Sequence, residues 1–146
     1  MNILIWTDND LDGAASALLI KKLYGTKATK LTIHEVTELT LAGKFKAAKD
    51  TLGHYDAIYI LDLDLKEEDI QMVDIDKVVV IDHHKQHVEN AHLYYNAKVI
   101  IEVETSCVRL IKRRFAKHLK LTSKHEDLFV LVDDYDCYNL QFKDSL

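Results

Sequence analysis

Four short apolar runs alternate with segments of helical periodicity, and this alternation restricts the chain to an α/β architecture assembled from βαβ units around a parallel sheet. The runs are residues 2–6, 31–36, 57–61 and 77–81. All but the second are nearly continuous in apolar residues, as strands buried on both faces are. Ala14, Ala15, Leu18, Leu19 and Leu23 recur at helical spacing and predict a helix over 12–24 that stops at Gly25. Helices are likewise predicted over 41–52, 67–73 and 105–119, the last with Val108, Ile111, Phe115 and Leu119 on one face. Another starts at Ser123, where Glu126 completes a capping-box pattern. A length of 146 residues fits one core, and with no proline, repeat or low-complexity tract the chain marks no linker. The expected fold is a single α/β domain with a mainly parallel sheet flanked by helices on both faces.

In an open parallel sheet, ligands bind beyond the carboxyl ends of the strands, where several loops converge. Three of the four runs deliver acids there. The first gives Asp8, Asp10 and Asp12 before Gly13, the third gives Asp62 and Asp64, and the fourth gives Asp82 with His83 and His84. Such a cluster of carboxylates repels itself unless cations neutralise it. Hard oxygen donors with one or two imidazoles suit Mn²⁺, with Mg²⁺ second, whereas zinc sites draw more His and Cys. Two such ions, roughly 3.5–4 Å apart in two-metal enzymes, clamp a phosphoryl group, generate a hydroxide nucleophile and stabilise the leaving oxygen.

Other readings compete locally. Residues 8–13 match the opening of an EF-hand loop, but the twelfth position is Leu19 in place of the bidentate Glu, and a strand precedes the loop. The Asp-x-Asp after the first strand, with the late pair Asp133-Asp134, also resembles haloacid-dehalogenase-type phosphatases. That pattern wants Thr or Val at Asp12 and leaves both histidines idle. Asp62 alone reads as a solvated strand end, and its company turns it into a ligand candidate. Asp64 reads as the opening of an acidic helix.

Asp82-His83-His84 is the strongest signal, because a buried strand carries an acid and two imidazoles into the crevice in consecutive positions. Here the chain resembles the DHH phosphoesterase family, which includes RecJ-type exonucleases, nanoRNases, phosphoadenosine-phosphate phosphatases and manganese pyrophosphatases. Asp10-Leu11-Asp12-Gly13, preceded by Asp8, is similar to the first motif, Asp62 to the second, the triplet to the third and Asp133-Asp134-Tyr135-Asp136 to the fourth. The resemblance spans most of residues 1–146 and implies a catalytic domain. It implies that Asp10 holds one metal, Asp12 the other, and Asp62 bridges both. His83 and a fourth-motif acid, Asp136 ahead of Asp133, complete the second metal. His84 contacts the substrate phosphate while Asp82 orients an imidazole. Some relatives carry a His where this chain has Trp6, so Asp8 stands as a substitute ligand for the first metal. Family members append a C-terminal substrate-binding domain, and nothing after Tyr138 resembles it. The chain is thus expected to be a catalytic fragment or a minimal member, completed by a second domain or a homodimer partner.

The implied substrate is a short single-stranded oligonucleotide or a small nucleotide. A net charge of −5 argues against wrapping duplex DNA by bulk electrostatics. Arg109, Lys112, Arg113, Arg114, Lys117 and Lys120 nevertheless gather on one side of the 105–119 helix, and Arg109 and Arg113 are candidate substrate contacts. The competing reading is a solvated helix face balancing nearby acids. Tyr94 and Tyr95 invite either base stacking or ordinary packing on a strand. Cys107 and Cys137 have no metal-type spacing and read as core thiols of a cytoplasmic protein. No run is long enough for a membrane span, and the opening lacks a signal peptide's basic flank. A manganese pyrophosphatase and a metal-binding module without catalysis remain the alternatives.

Overall fold

The computed structural model describes residues 1–138 and 141. Five strands alternate with helices: β1 (Asn2–Thr7), α1 (Leu11–Tyr24), β2 (Lys30–Glu35), α2 (Glu38–Ala48), β3 (Ala57–Leu61), α3 (Glu67–Val73), β4 (Val78–Asp82), α4 (Lys85–Asn90) and β5 (Lys98–Ile101), followed by α5 (Cys107–Phe115) and α6 (Ser123–Asp136). The strands form one sheet in the order β2-β1-β3-β4-β5, and every pairing is parallel, so the sheet is wholly rather than mainly parallel.

Period-2 alternation sends the side chains of each central strand to two cores. Ile3 and Ile5 of β1, Tyr59 and Leu61 of β3, and Ile81 of β4 pack with Leu19 and Ile20 of α1, Leu110 and Ile111 of α5 and Phe129 of α6. On the other face Leu4, Trp6, Ile58, Ile60, Val78 and Val80 meet Leu41 and Phe45 of α2 and Ile70 and Val73 of α3. Both faces are therefore covered, as an all-parallel sheet requires. The chain runs outward from β1 to β2 and then back across β1 to β3, which makes the β1/β3 boundary a topological switch point.

Element ends moved where capping chemistry competed with apolar periodicity. Helix α2 starts three residues before the expected 41 because the Thr37 N–H donates to Thr40 Oγ1 at 2.8 Å, and residues 52–54 form a separate 3₁₀ turn. Helix α6 is capped by Thr122 and His125 rather than by Ser123 and Glu126; Glu126 pairs with Lys112 instead. Helix α5 is shorter than 105–119, which leaves Lys117 and Lys120 beyond its end. Helix α4 and strand β5 had no counterpart in the sequence reading, and Tyr94 and Tyr95 precede β5 rather than lie on a strand. Cys107 is buried, but Cys137, expected in the core, is only partly so. Among the described residues no helix is long and apolar enough to cross a membrane.

Candidate metal centre

At the switch point, the loop after β1 turns into α1 so tightly that position 13 admits only glycine. A Cβ there would lie 2.5 Å from the Asp8 carbonyl oxygen and 2.9 Å from Thr7 Oγ1, which itself donates to the Gly13 carbonyl at 2.7 Å. Asp10 caps α1, its Oδ1 accepting the Gly13 N–H at 2.8 Å. Asp12 is buried and receives the N–H groups of Cys107 at 2.6 Å and Val108 at 2.8 Å, so the positive end of α5 holds its carboxylate. Asp62 closes β3 in the left-handed region, at φ 59°.

These elements converge on His83. Its Nδ1 lies 3.3 Å from the Glu104 carbonyl, which can only accept, so Nδ1 carries a proton. Nε2 faces three carboxylates: Asp62 Oδ1 at 3.2 Å, Asp12 Oδ2 at 3.7 Å and Asp136 Oδ2 at 3.8 Å. With a neutral ring, Nε2 offers a lone pair, and every inward atom of the cluster is then an acceptor. Asp62 Oδ1 is buried without a donor in hydrogen-bond geometry. A divalent cation relieves such an arrangement, and without one a proton on His83 or on the carboxylates does so. Burial, then the charge of Asp62, pushes Asp12 up to about 8. Burial likewise pushes Asp62 up to about 6. Burial opposes charging His83, but the Asp62 and Asp12 carboxylates raise it to about 9. A buried donorless oxygen among carboxylates and one imidazole fits a hard divalent cation such as Mn²⁺ or Mg²⁺.

Beside this cluster, the fully buried Asp82 shares its two oxygens between two imidazoles. Oδ1 lies 2.8 Å from His84 Nδ1 and Oδ2 lies 2.8 Å from His87 Nδ1. Burial would raise Asp82, yet the two histidines hold it well below the usual carboxylate range, and the Asp82 contact raises His84 to about 9. One ligand atom from each of Asp62, Asp82, His83 and His84 lies within 4.8 Å of the others, as do those of Asp12, His83 and Asp136.

Of the expected ligands, Asp12, Asp62, His83 and Asp136 come together. Among the described residues neither Asp8 nor Asp10 joins a group at ligand distance. Asp10 is exposed, though its charge raises Asp62 and Asp136. The Asp8 Oδ1 accepts the Asn9 N–H at 2.8 Å. Trp6 is buried against Phe45 at 5.4 Å, in the core beneath α2. Asp133 serves structure: it accepts from Thr105, from Ser106 at 2.6 Å and from Arg109 at 3.0 Å, tying α6 to the start of α5. Arg109 and Arg113 are both ion-paired, Arg109 with Asp133 and Arg113 with Glu102 at 2.7 Å and Glu104 at 3.1 Å. The residue that sequence reasoning missed is His87; Tyr94 was singled out for stacking or packing and not as the partner of His87. A His three positions after His84, on the same face of a helical turn, was the available signal.

No protein-family model and no curated protein matches the chain. Among solved structures, it is similar over 97% of its length to an uncharacterized protein from Helicobacter pylori G27, at 18% identity and a TM-score of 0.71. Over 99% of its length it is similar to CDC45 from Entamoeba histolytica, at 14% identity and a TM-score of 0.62. The chain spans 44% of the first protein and 32% of the second. At these identities the likeness is one of fold.

Proposed function

We propose that this domain is a DHH-type phosphoesterase that uses two divalent ions, Mn²⁺ by preference, to hydrolyse short single-stranded oligonucleotides or small nucleotides. The observation that carries the reading is the acceptor-only cluster of Asp12, Asp62, His83 and Asp136, with the donorless buried Asp62 Oδ1 at its centre. These four residues would hold one ion, and Asp62 with Asp10, or Asp8 in its place, would hold the other. When bound, the ions supply charge against the phosphoryl oxygens and acidify an attacking water. The protein's own part is positional. Asp82 fixes the His84 ring, and His84 meets a phosphate oxygen of the substrate with a donor.

The ion pairs that engage Arg109 and Arg113 favour a second reading, in which the domain binds metal and lacks turnover by itself, its substrate contacts arriving with a further domain or a partner subunit. The two are separated by incubating the protein and Mn²⁺ with a labelled short oligonucleotide, a dinucleotide, phosphoadenosine phosphate and pyrophosphate. Turnover of the oligonucleotide or nucleotides, reduced at least about 100-fold in His83→Ala, is the expected result. Cleavage of pyrophosphate alone would transfer the assignment to the pyrophosphatases. Metal binding without turnover of any of the four overturns the enzyme reading.

A further inference from the structure

The interior beside the metal cluster holds a hydrogen-bonded chain that the proposed chemistry does not itself require. Asp82 is fully buried and, as a carboxylate, only accepts, so the imidazole nitrogens 2.8 Å from its two oxygens both donate. One belongs to His84, whose side chain is 43% exposed and opens toward solvent. The other belongs to His87, which is completely buried and passes its second nitrogen, Nε2, to Tyr94 Oη at 2.8 Å. With Nδ1 of His87 committed as a donor, its Nε2 and the Tyr94 hydroxyl share the second hydrogen bond. Tyr94 is itself held by its neighbours: the Asp74 carboxylate receives the N–H groups of Tyr95 at 2.9 Å, Asn96 at 2.8 Å and Ala97 at 2.7 Å. A continuous run of hydrogen bonds thus leads from the loop before β5 to the exposed imidazole at the site.

A tie between α4 and that loop needs no buried carboxylate, because apolar side chains make it without desolvating four polar groups. The chain earns a role only at its other end. With Oδ2 occupied by His87, the Asp82 carboxylate cannot rotate without breaking a buried hydrogen bond, and Oδ1 stays aimed at His84 Nδ1. That fixes the His84 ring and leaves Nε2 as the nitrogen presented to the crevice.

We propose that His87 and Tyr94 are positioning residues, which lock Asp82 so that His84 is held with Nδ1 inward and Nε2 toward the substrate. The task given to His84 rests on the phosphoesterase reading; the locking itself does not. The test has two arms on the full chain. In protein labelled with ¹⁵N in the histidine rings and loaded with Mg²⁺, the His84 Nδ1–H is followed by NMR. Tyr94→Phe and His87→Leu are expected to speed its exchange with water at least about 10-fold, and His87→Asn, whose amide restores a donor to Asp82, to return it to within about threefold of wild type. With Mn²⁺ and the labelled oligonucleotide, Tyr94→Phe and His87→Leu are expected to lower kcat about 10- to 100-fold while KM and Mn²⁺ affinity stay within about threefold. Unchanged His84 exchange in Tyr94→Phe overturns the proposal, and this variant decides the matter if His87→Leu does not fold. A fall in Mn²⁺ affinity equal to the fall in kcat, with exchange unchanged, assigns the chain to structure and overturns it too. If wild type turns nothing over but exchange accelerates in the variants, the locking stands and the phosphoesterase reading alone falls.

Discussion

A buried aspartate at φ 59° with one oxygen lacking a donor is held against both its backbone preference and its solvation. A non-glycine residue in this region costs about 1–3 kcal/mol, least for Asp and Asn, and persists where surrounding structure over-determines it. At Asp62 the Asp62 N–H donates to the Ile81 carbonyl at 3.0 Å, so pairing with β4 continues through the strained residue and aims its side chain at His83. The substitution that separates charge from backbone is Asp62→Asn, since Asn tolerates the same conformation. Above about pH 6 it removes a carboxylate that burial keeps from ionising freely. The loss of that penalty is opposed by the loss of the charge that pairs with His83, so the metal-free variant is expected to lie within about 1 kcal/mol of wild type, while the rise in Tm that Mn²⁺ gives wild type disappears. Thermal melts with and without Mn²⁺ check both, and an undiminished Mn²⁺ shift in Asp62→Asn removes Asp62 from the ligand set. The sequence placed an acid here and gave no sign of its φ, because strain arises from tertiary pairing that a linear pattern does not carry.

At the scale of elements, the acid-bearing stretch after β1 is held at the cluster by two helix N-termini. Asp10 caps α1, and α5 holds Asp12 with two N–H groups. The first grip depends on how closely α1 approaches the end of β1, and so on Gly13. Gly13→Ala is expected to destabilise the protein by about 1–3 kcal/mol through displaced backbone and to weaken Mn²⁺ binding as Asp10 and Asp12 move. Gly43→Ala is the matched control: it sits in the exposed interior of α2 with open space around its Cβ position, and a gain of about 0.5–1 kcal/mol is expected. Chemical denaturation of the two variants gives opposite signs if the close approach at Gly13 is what matters; equal signs contradict it. Gly13 was legible as part of a motif, and β1, β3 and β4 were legible as apolar runs, since burial on both faces writes itself into composition. Strand β5 was not, because at the sheet edge it is short and only Ile100 is buried. The six residues of α4 are too few to display a period. The apparent basic stripe of α5 could not be judged from sequence, because Glu102, Glu104 and Asp133, which neutralise it, lie on other segments of the chain.

For the whole molecule, the concentration of acceptors at one end of the sheet makes stability, pH and metal a single linked system. Asp62 at about 6, Asp12 at about 8, and His83 and His84 at about 9 all bind protons more tightly folded than unfolded. Their contributions are complete below the unfolded values, near 4 for the acids and 6.5 for the histidines, and are lost as pH rises through the folded ones. Asp82 acts oppositely, because its value is lowered, and its contribution is lost only in acid, below about pH 4. Without metal, the protein is therefore expected to be most stable near pH 4–5 and to lose stability steadily up to about pH 9. A divalent ion takes the place of the protons on Asp12, Asp62 and His83, so it binds better as they deprotonate and offsets the loss. The Tm rise produced by a fixed Mn²⁺ concentration should accordingly be larger at pH 8 than at pH 6, and His83→Ala should reduce the difference, leaving the part that Asp12 and Asp62 contribute. Melting curves over pH 5–9 with chelator or Mn²⁺ decide it: a metal shift independent of pH would mean that the ion binds elsewhere than at the proton-holding cluster.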